Sequence, residues 1–174
     1  TIRRAGLLGV YVINPETRLF GGIDRQRIST KVGSGYEMPD GGTSIDYDRT
    51  WLGIQHRTSP KLSLDAQIGG GNADGDSRFI FEVGADIQPA DELAMRLSHR
   101  QDLFAVSPLA TALGIERRAS TLDATWTPDL RYTVVSYLGY DTFSDGNDRW
   151  EVELSPRRAF VRNQLLNLDL GISG

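Results

Sequence analysis

The stretch "KLSLDAQIGGGNADGDSRFIFEVGADIQP", Lys61 to Pro89, decides how the chain is read. Leu62, Leu64, Ala66 and Ile68 alternate with Ser63, Asp65, Gln67 and Gly69, and after a turn-rich "GGGNADGDS" Phe79, Phe81, Val83, Ala85 and Ile87 alternate with Ile80, Glu82, Gly84, Asp86 and Gln88. A period of two, broken by Gly, Asn and Asp, predicts a β-hairpin with one apolar and one polar face. The glycines Gly69 to Gly71 read as loop residues in this pattern.

The same alternation extends outward in both directions. It predicts about ten strands, roughly Ile2 to Asn14, Arg18 to Thr30, Asp46 to Thr58, Leu62 to Gly70, Arg78 to Gln88, Leu93 to Leu103, Glu116 to Thr127, Leu130 to Asp141, Asp148 to Ser155 and Gln164 to Ser173. No segment keeps a helical period, and at 174 residues the chain reads as one domain, 1–174. Short Pro-containing links, "NPET", "SPK", "QPADE" and "TPD", alternate with longer ones, "KVGSGYEMPDGGTS", "GGNADGDS", "AVSPLATALGI" and "FSDGN". Segregation of short turns and long loops to opposite ends is the habit of outer-membrane barrels.

Composition narrows the classes. The chain is mildly hydrophilic on average, yet barrel strands place half their residues against a polar lumen and so mask a membrane location. No apolar run is long enough for a spanning helix. The absence of Cys excludes disulfides and thiolate sites. A net charge of -4 with scattered arginines argues against a nucleic-acid partner. Thr1 is not Met and opens no leader peptide, from which the chain is expected to be cut from something longer.

Each later strand carries one face fit for hydrocarbon. Leu64, Phe81, Val83, Leu97, Val152 and Leu168 fall in the apolar register and are expected to meet lipid, with Trp126, Trp150, Tyr132 and Tyr140 near strand ends as interfacial aromatics. The polar register holds Asp65, Glu82, Asp86, Arg96, Arg100, Asp123, Arg149, Glu151, Glu153 and Asp169. Inside a barrel these would line the substrate path as carboxylate–guanidinium pairs with an acidic excess, favouring neutral or cationic glycans. "GLLGVYVIN" is apolar on both faces and "RLFGGIDRQRIST" is weakly patterned, so the first two strands call for a cover: a plug, a partner or another part of the same chain.

Catalytic and metal motifs are sparse. His56 and His99 sit within strands and read as polar strand residues, no Ser lies in a nucleophile elbow, and "NADGD" lacks the distal acidic ligand of a calcium loop. Neither an enzyme nor a cofactor is expected.

"YLGYDTFSDGNDRWEVELSPRRAF" and "LSHRQDLFAVSPLATALGIERR" resemble the C-terminal barrel of tetratricopeptide-repeat outer-membrane porins that export exopolysaccharide, of the cellulose and poly-N-acetylglucosamine secretion type. The resemblance covers Leu93 to Gly174 through short motifs. It implies a barrel of more strands than this chain supplies, a polysaccharide substrate, and periplasmic or synthase partners bound through a helical repeat domain outside these residues.

The fold expected is therefore all-β: an antiparallel up-and-down transmembrane β-barrel, or a roughly ten-strand part of a larger one, in the lipid of the bacterial outer membrane. Its function would be that of a porin passing or binding a hydrophilic polymer. Two alternatives share the alternation: a non-transport barrel with an adhesive, phage-receptor or rim-enzyme role, and a soluble β-sandwich binding module.

Overall fold

A computed structural model describes residues 2–29, 44–73, 75–104, 110–111, 113–129, 131–161, 164–167 and 170–173, with side chains described as far as Arg158. The strands are β1 (Ile2–Val12), β2 (Thr17–Ser29), β3 (Ser44–Ser59), β4 (Leu62–Ala73), β5 (Asp76–Ala90), β6 (Leu93–Leu103), β7 (Glu116–Asp129), β8 (Tyr132–Phe143), β9 (Asp148–Val161), β10 (Gln164–Asn167) and β11 (Leu170–Ser173). All belong to one sheet in which β1 to β9 pair antiparallel with their sequence neighbours. β10 and β11 both pair with β9, at its two halves, and so share one strand position. Among the described residues β1 pairs only with β2, which makes it an edge.

The turns follow from the residues that open them. The Asn14 side chain accepts hydrogen bonds from the amides of Glu16 at 3.0 Å and Thr17 at 2.7 Å. Ser59 accepts from the Lys61 amide at 3.2 Å, and Asp129 from the amides of Arg131 at 2.6 Å and Tyr132 at 3.1 Å. Side-chain acceptance of this kind closes a turn locally, and all of these links lie at one rim. The ends of β2 and β3, of β4 and β5, of β6 and β7 and of β8 and β9 meet at the other, and residues 30–43, which hold most of the expected loop "KVGSGYEMPDGGTS", are outside the described residues, as are 105–109 and 112 of "AVSPLATALGI".

The second rim departs from the expected loop lengths. Gly69, Gly70 and Gly71 belong to β4, and within the expected "GGNADGDS" loop only two residues separate the end of β4 at Ala73 from the start of β5 at Asp76. Gly75 there has φ of 89°, and the Asn72 side chain accepts its amide at 3.2 Å. The strand runs on because its glycines are needed within it. A Cβ on Gly71 would lie 2.7 Å from the Tyr47 ring, and one on Gly69 would lie 2.8 Å from the Trp51 backbone.

The register settles which residues share a face. Leu64, Ala85, Leu97, Leu122, Leu138 and Val152 form one continuous row across β4 to β9. Leu64, Leu97 and Leu138 of that row are 46%, 43% and 49% exposed, and the neighbouring Val83 is 46% exposed. A sandwich would bury this face, whereas a barrel turns it to lipid. Phe81 also lies outward, two rows from that one, and Leu168 lies outside the described residues. Tyr140 and Trp150 stand side by side near the rim of longer links, while Trp126 and Tyr132 mark the opposite rim, all four exposed. Two aromatic girdles bracket the apolar band.

The buried cluster lies near the rim of longer links: Ile28, Ile45, Tyr47 and Ala73 stand in the inner register, and Leu103 at the end of β6 is buried with them. β1 is exposed on both faces along its whole length, so no described residue covers it.

Candidate functional site

The inner face carries three charge networks, each built because antiparallel register brings polar positions of adjacent strands side by side. Toward the short-link rim, Arg96 on β6 reaches Asp86 on β5 at 3.0 Å and passes over β5 to Asp65 on β4, also at 3.0 Å. Gly84 makes that reach feasible. It sits between Asp65 and Ser98 in register, and a Cβ there would lie 2.7 Å from the Asp65 carboxylate and 2.8 Å from the Arg96 guanidinium. Glu82 lies 3.9 Å from the same guanidinium and accepts from the Gln67 amide group at 3.0 Å. Beside this network opens a cavity of about 570 Å³, with Asp86, Arg96 and Asp123 on one wall and Gln55 and Arg57 on another.

A second network spans the long-link half. Asp24, with a side chain only 3% exposed, lies between Arg4 at 2.5 Å and Arg49 at 2.7 Å. The same Arg49 reaches Asp102 at 2.8 Å, and Tyr47 donates its hydroxyl to Asp102. In the third, Asp141 is held by Arg117 at 2.8 Å and Arg149 at 2.6 Å.

Of the positions expected to line the path, Asp65, Glu82, Asp86 and Arg96 thus form one network, and Arg149 joins Asp141. Asp123, Glu151, Glu153 and Arg100 share the inner register. Among the described residues none of these four has an ion-pair partner, although Glu153 accepts a hydrogen bond from Ser155 at 3.2 Å. Asp123 and Glu153 flank Tyr137 in a single row, with Glu151 one row above. Asp169 lies outside the described residues.

The inner face is richer in arginine than the expected acidic excess allows. Arg4, Arg18, Arg49, Arg57, Arg78, Arg117 and Arg157 occupy it as well. Sequence reasoning passed over Asp24, Tyr47, Arg49, Asp102, Arg117 and Asp141, which belong to the second and third networks. For Asp141 the signal was its even spacing from Tyr137 and Gly139, opposite in phase to Leu138 and Tyr140. The Arg49 contact with Asp102 joins strands three apart and had no local signal.

His99 and His56 point outward. His99 meets Ser120 at 2.9 Å and the Phe81 ring at 5.6 Å between centroids, and His56 meets Thr17 at 2.9 Å. In "NADGD", Asp76 pairs with Arg78 at 2.7 Å and Asn72 serves its own turn. Among the described residues no cluster of three or more His, Cys, Asp or Glu is arranged to hold a metal ion.

With this geometry the chain resembles a solved structure described as a bacterial polysaccharide outer membrane secretin, at a TM-score of 0.73 and 16% identity, over 98% of this chain and 56% of that one. The fold is that of an outer-membrane β-barrel. Its outward apolar band and paired girdles belong in a bacterial outer membrane. A KdgM porin in complex with disordered oligogalacturonate is a more distant likeness, with a TM-score of 0.41 and 12% identity over 97% of this chain and 91% of that one. The chain spans just over half the length of the secretin it matches. No family model matches the sequence, and no curated protein matches it significantly.

Proposed function

We propose that the chain forms much of the wall of an outer-membrane porin that passes a hydrophilic polysaccharide, an exopolysaccharide leaving the cell, along its inner face. The observation that carries this reading is the pairing of charge within the wall. Arg96 with Asp65 and Asp86, and Asp141 with Arg117 and Arg149, present dense hydrogen-bonding groups whose charges already neutralise one another. A sugar polymer can exchange water for such groups at many weak sites, each favourable enough to enter and weak enough to leave. A strongly one-signed wall would instead hold a charged polymer or repel it. The secretin with the similar fold is itself described as a polysaccharide protein, and the resemblance at Leu93 to Gly174 points to the tetratricopeptide-repeat exporters, with a synthase-side partner docked at the periplasmic rim. On this reading the short links face the periplasm and the longer ones the exterior.

Asp123, Glu151 and Glu153, without an ion-pair partner among the described residues, give the inner wall around Tyr137 a local acidic surface. In planar bilayers these carboxylates should therefore pull the selectivity of the full-length protein toward cations against the arginines of the same face, a contribution that fades as salt screens the field. Asp123→Asn, Glu151→Gln and Glu153→Gln together should shift the reversal potential toward anion selectivity, and added neutral oligosaccharide should block current in both forms. An unchanged reversal potential, or current indifferent to oligosaccharide, would remove the inner face from the conducting path.

A further inference from the structure

Asp24 on β2 and Asp102 on β6 touch one guanidinium, that of Arg49, at 2.7 and 2.8 Å. Four strand spacings separate β2 from β6, which on a flat sheet is roughly 19 Å. A single guanidinium cannot bridge that distance, so the sheet is curled hard at this level and the ion pairs form a chord across its concave side. Under the chord the space is filled: Ile28, Ile45, Tyr47, Ala73 and Leu103 are 1% to 6% exposed. Gly71 has no side chain where Tyr47 crosses β4. Toward the short-link rim the wall opens instead on the cavity beside Arg96. The inner space is thus wide at one end and filled at the other.

We infer that the Asp24–Arg49–Asp102 chord, seconded by Tyr47, is the strut that sets the bore at the long-link end, and that Asp102 is its size-determining residue. This rests on the porin reading above. Asp102 is the end of the strut that can be released cleanly. Its Oδ1 accepts from the Tyr47 hydroxyl and from the Leu103 amide, and only its Oδ2 meets Arg49. Asp102→Asn keeps the Oδ1 bonds and turns an amide donor toward the guanidinium donor, breaking the chord alone. Arg49 retains Asp24, so no buried charge is orphaned.

Two readouts on the full-length protein test this. In planar bilayers, Asp102→Asn should raise single-channel conductance and admit larger neutral polyethylene glycols than the parent protein. Independently of any current, a cysteine replacing Ala73, which is 6% exposed in a chain without cysteine, should resist a water-soluble maleimide and become reactive once Asp102→Asn is added. Conductance and size cut-off unchanged, with position 73 still protected, would overturn the strut. A parent protein that conducts nothing would sink the porin reading, and the reactivity at position 73 would still decide whether the chord holds the sheet closed.

Discussion

Leu97→Arg is expected to destabilise the membrane-inserted protein by about 2 to 4 kcal/mol, the cost of a guanidinium facing lipid near the midplane of a barrel. Leu97 stands in the outward row between Ala85 and Leu122 and is 43% exposed, with no polar partner within the row to receive an arginine. Urea titration of the protein folded into lipid vesicles would read the loss directly. The comparison is Gln67→Arg on the inner face, where Glu82 already accepts from Gln67 at 3.0 Å and would accept from a guanidinium instead. Its cost should stay below about 1 kcal/mol, as for exposed charge pairs. Equal losses from the two variants would mean that the faces do not differ in what they meet.

Asp141→Ala should cost about 3 kcal/mol, the lower end of the range for stripping one partner from a buried ion pair. The Asp141 side chain is 4% exposed and lies between Arg117 and Arg149, whose guanidinium charges would then confront each other without a carboxylate. The lower end applies because Arg149 is 42% exposed and partly screened by water. Removing Arg149 in the same chain should recover part of the loss, a coupling that a double-mutant cycle measures. An effect of Asp141→Ala within about 0.5 kcal/mol, the range of ordinary surface substitutions, would show the triad to be solvated.

Much of this fold was readable because its physics is periodic. Leu64, Phe81, Leu97 and Val152 fall every second residue in strands flanked by turn formers, and the alternation carries both the strand positions and the face each residue takes. The girdle positions of Trp126, Tyr132, Tyr140 and Trp150 follow from the same count. Asp65, Glu82, Asp86 and Arg96 were legible as a set because they lie on consecutive strands in one phase. Their bonding through the gap at Gly84 was not, since a glycine carries no phase of its own. The same holds at Gly69 and Gly71, which look like loop residues until Tyr47 and Trp51 are seen lying against them. The contact of Arg49 with Asp102 depends on how tightly the sheet curls. Curvature is a collective property of ten strand positions, and no short window of sequence reports it.

A porin wall of this kind meets lipid with one face of the sheet and borders water within the membrane with the other. Single cysteines at neighbouring positions of β6 test it most directly, because the chain has no cysteine of its own. In full-length protein inserted in bilayers, a fluorophore at Leu97→Cys should be quenched by a lipid-borne quencher and not by an aqueous one, and a fluorophore at Ser98→Cys should show the reverse. Quenching of both from water, or protection of position 97 from both quenchers in protein that stays folded without detergent, would contradict the barrel and return the apolar face to the core of a soluble sandwich.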